Sequence, residues 1–344
     1  MIYSSCAGLD RFRRFGHTED RKSVSKEHRL DAVETAPPTA RRRKTLWYFF
    51  LLSLACLIWS AQGTAIKFLD RQLGPVAITF LPFYVTTLLM VPLLVRERRR
   101  RPDAPAPGWR DWGKFAIAGV GGQVLAQLGM TWGISKSLAS NGAILNLMIP
   151  VLTALLATFM LRERITLLRV GSLALGLVGV FFLSADDLRQ SSFGEMRYLA
   201  GNSLILCGCL GSSFYNVYCK GLMSRYQEIE ILIFSYITAS VASVPLLLWV
   251  EPFHWRVLAT FDWKSWAAFA FLALLMYGAS MLLFFSALQH LDVTVASTSL
   301  YLVPVFGVIL AAALLGERLS AMAVLGSVVV LAGTILIVKY DTSY

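Results

Sequence analysis

NLMIPVLTALLATFMLRERI at residues 146–165 returns in altered form as LYLVPVFGVILAAALLGERL at residues 300–319. A shift of 154 residues superimposes Pro150 on Pro304 and one Glu-Arg pair on another. Apolar segments match by chance fairly often, but a proline and a charged pair in register at one shift are hard to obtain by accident. The chain therefore contains an internal duplication, and these two segments mark its copies.

The composition places the duplicated segments in lipid. Hydrophobic residues make up 56% of the chain and charged residues only 15%, with a mean hydropathy of +0.60. Soluble domains are about 45–50% apolar and about 25% charged. Apolar runs of roughly 20 residues recur after Lys44, and each is long enough to cross ~30 Å of hydrocarbon as a helix. Membrane strands would instead alternate over about 10 residues, so the sequence predicts an all-α integral membrane protein.

Ten apolar runs predict ten transmembrane helices in two sets of five. The first set comprises Leu46–Leu69, Val76–Val95, Phe115–Ile134, Leu138–Leu161 and Leu167–Leu183; the second comprises Leu199–Leu222, Ile229–Val250, Trp266–Leu288, Val293–Leu315 and Met322–Val338. We assign residues 45–184 to the first repeat and residues 198–338 to the second. Residues 1–44 are polar and basic, which predicts a disordered cytoplasmic tail or an over-long start of the reading frame.

A second match relates the first helices of the two sets. At a shift of 153 residues, CLIWSAQGTAIKFL from Cys56 aligns with CLGSSFYNVYCKGL from Cys209 and superimposes Lys67 on Lys220. Because five is an odd number, the second copy enters the membrane from the opposite side. Inverted repeats build a site that is reachable alternately from each face. Although a fold alone does not prove a function, this arrangement favours a secondary transporter that works by alternating access.

The distribution of basic residues predicts the orientation. If the N-terminus is cytoplasmic, the inner flanks hold roughly twice as many Lys and Arg residues as the outer flanks, so both termini face the cytoplasm of a plasma (inner) membrane protein. The segment Arg96–Lys114 forms the longest inner loop and begins with a run of arginines. The net charge of +11 would suggest nucleic acid in a soluble protein, but here the basic residues flank apolar runs. We therefore expect lipid and a small molecule as partners, and no nucleic acid.

Two longer runs carry a resemblance to a known family. GISKSLASNGAILNLMIPVLTALLATFMLRERI from Gly133 and ALQHLDVTVASTSLYLVPVFGVILAAALLGERL from Ala287 resemble the two signature segments of EamA-type transporters, in the drug/metabolite transporter superfamily. The resemblance extends from about Leu46 to Val338. It implies a ten-helix fold with both ends inside, a central cavity lined mainly by helices 1, 3, 4, 6, 8 and 9, and export of amino acids or other metabolites.

Polar side chains inside the apolar runs are the candidate substrate-cavity residues. Amides and hydroxyls that face lipid are costly, so these groups should point inward. Hydrogen bonds between helices are the alternative role for each of them. Gln123 and Gln127 lie four residues apart and share one helix face. The full set is Trp59, Gln62, Lys67, Gln123, Gln127, Asn146, Tyr215, Asn216, Tyr218, Tyr277, Ser280, Thr298 and Tyr301.

Pro150 and Pro304 are candidate hinges. A proline within a helix removes one hydrogen bond and frees the carbonyl four residues earlier, here that of Asn146 or of Leu300. Near mid-membrane such a carbonyl needs a partner, and it can line a cavity or hinge a gate. The alternative is an ordinary kink satisfied by a neighbouring side chain.

Charged residues lie near the ends of the spans. Lys67 and Lys220 either extend to the headgroups or attract anionic groups at opposite mouths. We interpret the Glu163–Arg164 and Glu317–Arg318 pairs as caps and loop anchors. No Asp or Glu lies deep in a predicted span, which favours a facilitator or exchanger, or coupling through His290 and Asp292. Close-spaced glycines are interpreted as packing residues: Gly129 with Gly133, Gly176 with Gly179, Gly208 with Gly211, and the run Gly119–Gly122.

The remaining residue types argue against other functions. The four histidines are scattered, and four of the five cysteines, Cys56, Cys207, Cys209 and Cys219, lie in apolar runs as small hydrophobic residues. No metal site, cofactor or catalytic residue is predicted. A nucleotide-sugar or sugar-phosphate antiporter would need several cavity Lys and Arg residues. A membrane-embedded transferase would need clustered acidic or His groups, and a non-transporting scaffold is a further alternative.

Overall fold

A computed structural model describes residues 38–101, 106–137, 145–183, 196–251, 254–315 and 321–340. Every regular element within these ranges is a helix. The chain divides into two compact units, residues 1–47 and residues 48–344. The described part of the first unit is the beginning of helix α1 (Pro38–Ser60). This helix starts before the predicted tail boundary, and residues 1–37 of the predicted tail lie outside the described residues.

The helices that follow α1 are labelled in chain order. They are α2 (Gln62–Leu69), α3 (Pro75–Arg100), α4 (Trp109–Ala116), α5 (Leu125–Ser135), α6 (Met148–Leu161), α7 (Leu167–Leu183), α8 (Met196–Leu222), α9 (Glu228–Pro245), α10 (Trp263–Ala270), α11 (Ser280–His290), α12 (Val293–Thr298), α13 (Leu302–Leu315) and α14 (Ala321–Tyr340). Three π-helical segments (Ile117–Val124, Leu246–Val250, Phe271–Ala279) and two 3₁₀ segments (Trp255–Thr260, Ser299–Tyr301) join some of them.

Four helices in the described residues are long and apolar enough to cross a membrane: Lys44–Ile66, Pro75–Arg100, Glu228–Val250 and Trp263–His290. Helix α3 continues through Arg100 into the predicted inner loop, because arginine favours helix and the first proline after Arg96 is Pro102. The prediction that Arg96 begins a loop is therefore wrong. Helix α7 matches its predicted bounds.

The predicted fourth and ninth helices both contain an interruption within the described residues; residues 138–144, where the fourth was predicted to begin, lie outside them, and the ninth begins at Val293 as predicted. Helix α6 begins at Met148, after a turn. In the second half, the helix ends at Thr298, continues as the 3₁₀ segment Ser299–Tyr301, and restarts at Leu302. Pro150 and Pro304 are each the third residue of the helix that follows, where a missing N–H costs little. Each proline therefore lies just after an interruption and not in the middle of a continuous helix.

Contacts between the two halves repeat under exchange of the halves. A Cβ added at Gly179 would lie 2.7 Å from the Val330 nitrogen and 2.9 Å from the Gly326 oxygen. A Cβ added at Gly333, 154 residues later, would lie 3.1 Å from the Ser172 oxygen and 3.3 Å from the Gly176 nitrogen. Helices α7 and α14 therefore pack through equivalent residues, as a two-fold relation requires.

The α3–α9 pair shows the same exchange. The Thr87 and Ser240 hydroxyl oxygens, from positions 153 residues apart, lie 3.3 Å from each other. At one end of the pair, Arg98 forms an ion pair of 2.8 Å with Glu230. At the other end, Glu251 accepts hydrogen bonds from the backbone nitrogens that begin α3, with 3.0 Å to the nitrogen of Val76. Both ends of this pair are therefore joined.

Glycines also allow α5 and α8 to approach closely. Ideal Cβ atoms at Gly129 and Gly208 would each lie within 2.9 Å of backbone on the opposite helix. Gly133 and Gly211 make equivalent approaches, to 2.8 Å and 2.7 Å from backbone nitrogens. No hydrophobic force drives helices together in lipid, so their association relies on the close van der Waals packing that small residues allow. The predicted packing role of these glycines is confirmed.

Candidate functional site

The two interruptions before the prolines are the most symmetric polar feature of the described chain. The Cys56 thiol donates to the Ser299 carbonyl oxygen at 3.2 Å, and the Cys209 thiol donates to the Leu145 carbonyl oxygen at 3.4 Å. The cysteines are 153 residues apart and the carbonyls 154 apart. Each half thus supplies a fully buried thiol to the interrupted helix of the other half.

The contact of Cys209 bears on the prediction that Pro150 frees the carbonyl of Asn146. The prediction that the Asn146 carbonyl would lack a backbone partner is wrong, because it accepts from the Ile149 nitrogen at 3.0 Å. The turn shifts the need for a partner to Leu145, one residue earlier, where Cys209 meets it. The interpretation of buried cysteines as plain hydrophobic residues missed this role, and it is also wrong for Cys207, whose side chain is exposed.

Two of the three π-helical segments in the described residues lie at equivalent positions in the two halves. The segments Ile117–Val124 and Phe271–Ala279 begin 154 residues apart. Gln123 and Tyr277, both predicted site residues, occupy matching places in them. Since π-helical turns are rare and occur frequently at functional sites, the shared position strengthens the case for this region. Hydrophobic patterning alone gives no signal for such turns.

The Gln123–Gln127 pair shares a face, as predicted. The Gln127 amide nitrogen donates to the Gln123 amide oxygen at 3.3 Å, and Gln123 is buried while Gln127 is half-buried. Tyr215 packs against the same turn, where a Cβ added at Gly122 would lie 2.8 Å from its side chain. The Tyr215 hydroxyl lies 2.9 Å from the hydroxyl of Ser235.

An aromatic series connects this turn to helix α1. The Tyr215 ring lies 5.6 Å from that of Phe285, and the neighbouring Phe284 ring lies 5.4 Å from that of Trp59. Trp59 is half-buried, and its indole N–H has no hydrogen-bond partner among the described residues. The structure therefore brings Trp59, Tyr215 and the glutamine pair into one region.

The candidates from Tyr277 onwards are all buried. Tyr277 packs its ring 5.4 Å from that of Phe83, and its carbonyl accepts from the Tyr236 hydroxyl at 3.0 Å. The hydroxyls of Ser280 and Thr298 donate to the carbonyls of Met276 and Val295, about one turn earlier in the chain. Tyr301 packs against Gly176, and its hydroxyl has no hydrogen-bond partner in the described part of the chain.

The other candidates occupy varied environments. Asn146 is half-buried, and its side-chain oxygen lies 3.6 Å from the Cys209 sulfur. Gln62 is half-buried and Asn216 is buried, whereas the half-buried Tyr218 stacks on Phe214 at 5.2 Å between ring centroids. The predicted Lys67 side chain lies outside the described residues.

Lys220 has neither of its predicted roles. Its ammonium donates to the carbonyls of Leu288 at 2.6 Å and Leu291 at 2.8 Å, where helix α11 ends. It therefore does not extend to the headgroups, and its hydrogen bonds are already used by the backbone. Sequence reasoning missed this role because the partner is a helix terminus that lies 68 residues away in the chain.

Glu163 caps a helix, as predicted. Its carboxylate accepts from the Val293 nitrogen at 2.8 Å and from the Thr294 hydroxyl at 2.7 Å, at the beginning of α12. Arg169, which sequence reasoning did not single out, is 1% exposed and pairs with Asp292 at 2.5 Å. The equivalent pair Glu317–Arg318 lies outside the described residues.

Comparison with known proteins now identifies the family. The profile of the EamA-like transporter family matches residues 46–185 and 199–339, which is most of the chain and falls in two copies. The chain belongs to the EamA-like transporter family. The resemblance seen in the Pro- and Glu-Arg-containing segments is thereby confirmed, and with it a membrane protein of transporter type.

Individual relatives of this EamA-like chain are distant but match along nearly their whole length. An uncharacterized transporter of Archaeoglobus fulgidus is 26% identical, covering 85% of this chain and 98% of its own. A probable terminal-alkyne amino-acid exporter of Streptantibioticus cattleyicolor is 25% identical, with 86% and 93% covered. An S-adenosylmethionine uptake transporter of Rickettsia prowazekii is 22% identical, with 84% and 91% covered.

A solved crystal structure has the same fold as this EamA-like chain. It superposes with a TM-score of 0.68 at 18% sequence identity, and the match covers 86% of this chain and 97% of the other. At this identity the likeness establishes architecture and leaves chemistry to the residues of the site.

Proposed function

We propose that the protein is a secondary transporter that exports small metabolites, amino acids or related compounds, across the plasma membrane by alternating access. Ten transmembrane helices form two inverted five-helix repeats, residues 45–184 and residues 198–338, with both termini in the cytoplasm. The region around the two interrupted helices is the substrate site, and Pro150 and Pro304 are its hinges.

The exchange of equivalent contacts between the halves carries this proposal. Cys56 contacts Ser299 as Cys209 contacts Leu145. A pair of inverted repeats can swap conformations only if each half can make the contacts of the other, and that swap moves the opening from one face to the other. Interrupted helices at mid-membrane supply the backbone that such a site uses.

The chemistry of the site favours a small polar substrate held by neutral groups. Trp59 offers an unused N–H donor, and the half-buried amides of Gln127 and Asn146 offer donors and acceptors. We assign substrate contact to these residues first. The hydroxyls of Ser280 and Thr298 already donate to nearby backbone carbonyls, so we assign these residues to packing.

Two relatives support an amino-acid substrate. One is named as an exporter of an amino acid and the other as an uptake transporter of S-adenosylmethionine, which is itself a derivative of the amino acid methionine. Because these two relatives are named for opposite directions, the shared fold alone does not fix the direction of transport. The sugar-phosphate alternative loses support, because the Lys220 ammonium is bound to backbone carbonyls.

A flux assay tests the proposal. Purified protein in proteoliposomes loaded with a mixture of labelled amino acids should show saturable exchange that protein-free liposomes lack. The variant Trp59→Phe keeps an aromatic ring against Phe284 but removes the N–H donor together with part of the ring, so it should raise KM with little effect on folding. Trp112→Phe, which lies against Phe115 and Phe234, is the matched control. The absence of flux for every amino acid, sugar and amine would contradict the proposal.

Side-specific labelling tests the orientation separately. Single cysteine tags at Arg100 and Lys264 should react with membrane-impermeant reagents from opposite faces, with Arg100 cytoplasmic. Labelling of both tags from the same face would refute the inverted ten-helix arrangement, whatever the flux assay showed.

A further inference from the structure

A polar cluster joins four parts of the described chain at one end of the helices. We name it the Arg169 cluster; its members are Glu163, Arg169, Lys220, Asp292 and Thr294. The cluster holds the turn between α11 and α12. Lys220 binds the carbonyls before the turn, Arg169 binds the carboxylate of Asp292 within it, and Glu163 binds the amides after it.

Burial makes the Arg169–Asp292 pair the central contact of this cluster. The Arg169 side chain is 1% exposed. Its guanidinium also donates to the Arg164 carbonyl at 3.3 Å and lies 3.8 Å from the Glu163 carboxylate. A guanidinium can make several directed hydrogen bonds at once, so this one residue links the α6–α7 loop of the first half to the α11–α12 turn of the second.

The internal repeat shows which members have equivalents at the opposite end. Glu163 corresponds to Glu317 and Lys220 to Lys67, and Thr294 corresponds to Ser140, which also carries a hydroxyl. In the sequence, neither member of the ion pair has a charged residue at its matching position. Arg169 corresponds to Ala323 and Asp292 to Leu138. The spacing is reliable this far along the chain, because Gly179 and Gly333 make equivalent contacts in the structure.

We propose that Arg169 and Asp292 are positioning residues for transport: their ion pair holds this end of the helices closed and makes that state more populated than the state closed at the opposite end. The inference rests on the proposed alternating-access function. Helix caps that are present at both ends stabilise the two closed states alike. A buried ion pair that is present at one end favours the conformation that forms it. A bias of this kind sets which face the unloaded carrier presents more often, while the gradients of the transported species set the direction of net flux.

The test removes the asymmetry. In the variant Arg169→Ala with Asp292→Leu, these two positions carry the residues of the opposite end, and neither partner of the ion pair is left without the other. Spin labels at Arg164→Cys and His290→Cys, both exposed positions, with Cys6 and Cys207 replaced by Ser, report the separation across the cluster. We expect the ratio of long to short distances to rise by about fivefold or more, the lower range for coupled sites.

A matched ion pair and a rescue define the outcomes. The control variant Arg98→Gln with Glu230→Gln removes the ion pair at one end of α3. This pair forms while the other end of α3 is also joined, through Glu251, so its loss should leave the distances unchanged. The exchanged pair Arg169→Asp with Asp292→Arg should restore the parental ratio. An unchanged ratio in the asymmetry-removing variant, or an equal change in the control, would overturn the inference.

Two further arms keep the test decisive. If the double variant does not fold, Arg169→Lys retains the charge but loses the fork that reaches three partners, and a ratio like the parent's would overturn the inference. The distance measurement needs no substrate. A protein that carries no metabolite but shifts its distances as described would therefore refute the proposed function while leaving closure by the ion pair intact.

Discussion

The two halves of the molecule agree in backbone and differ in side chains. Both have an interrupted helix before a proline, a buried thiol that serves the carbonyl at the interruption, and a π-helical segment at the matching place. At equivalent positions of the repeat, however, the side chains differ: Gln123 corresponds to Tyr277, and Asn146 corresponds to Leu300.

This difference separates two requirements of a carrier. The conformational exchange needs equal backbones, because each half must be able to adopt the conformation of the other. Binding needs an asymmetric set of donors and acceptors, because a small metabolite is not symmetric. We therefore expect substitutions in the shared frame to reduce folding, and substitutions at the unlike positions to reduce transport.

The close contact between α7 and α14 should show the largest effect. Gly179→Leu would place side-chain atoms against the backbone of Val330, and we expect a loss of about 3 kcal/mol or more in stability. Gly333→Leu should cost less, since its nearest neighbour is the Leu175 Cβ at 3.0 Å. Thermal unfolding in detergent, followed by size-exclusion chromatography, measures both.

Gly171→Leu is the control for these two variants. It lies on the same helix as Gly179, but an added Cβ there meets nothing within 4 Å. If all three variants unfolded alike, helix propensity rather than the two-fold contact would explain the losses.

The unlike positions should show the next effect. Gln127→Leu removes a half-buried amide, and we expect transport to fall about tenfold, the cost of one lost hydrogen bond of about 1.4 kcal/mol, while the melting temperature stays near that of the parent. Met281 is the equivalent residue in the second half, and Met281→Leu should leave transport unchanged. Equal losses from the two variants would remove the distinction between frame and site.

Asn146→Leu tests the same distinction at the interruption. The substitution gives the first half the residue that the second half has at position 300. We expect reduced flux, because the frame tolerates leucine there while the substrate loses an amide partner. Unchanged flux would assign Asn146 to structure alone.

How far the sequence predicted these features depends on what each requires. The close spacing of the glycines predicted their packing role, because small residues allow helices to approach closely in lipid, but the pairing of α7 with α14 was not predicted. The duplication could not locate the π-helical segments or the break at Ser299–Tyr301, which depend on hydrogen-bond register rather than on hydrophobic pattern. Lys220 and Arg169 were also beyond reach, since their partners are distant in the chain and become neighbours only on folding.

The thiol contacts should show a smaller and equal effect in the two halves. Cys56→Ala and Cys209→Ala each remove one hydrogen-bond donor from a buried carbonyl, for which we expect about 1 kcal/mol of lost stability. Cys→Ser at either position keeps a donor and should lose less. If one alanine variant were as stable as the parent and the other were not, the two interruptions would not be equivalent.

The helix caps before the π-helical segments should show the smallest effect. Asp262 caps α10 by accepting from the Ser265 nitrogen at 2.8 Å. At the equivalent place in the first half, the roles are reversed: Asp111, inside α4, accepts from the Gly108 nitrogen at 3.1 Å. Asp262→Ala should lower the melting temperature by about 2 °C or less, and Asp262→Asn, which keeps an acceptor, by less still.

The pH dependence identifies the charge of this cap. Hydrogen bonds from the Ser265 side chain and backbone lower the pKa of Asp262 below its ordinary value. A carboxyl whose pKa is lower in the folded state stabilises that state above its unfolded pKa, and this contribution is lost as pH falls through the folded pKa. Melting curves between neutral pH and pH ~3 should therefore converge for the parent and Asp262→Asn at the acidic end. If the melting temperatures of the parent and Asp262→Asn instead differed by the same amount at every pH, the negative charge of Asp262 would contribute nothing to the cap. The hydrogen-bond geometry alone would then explain capping in both halves.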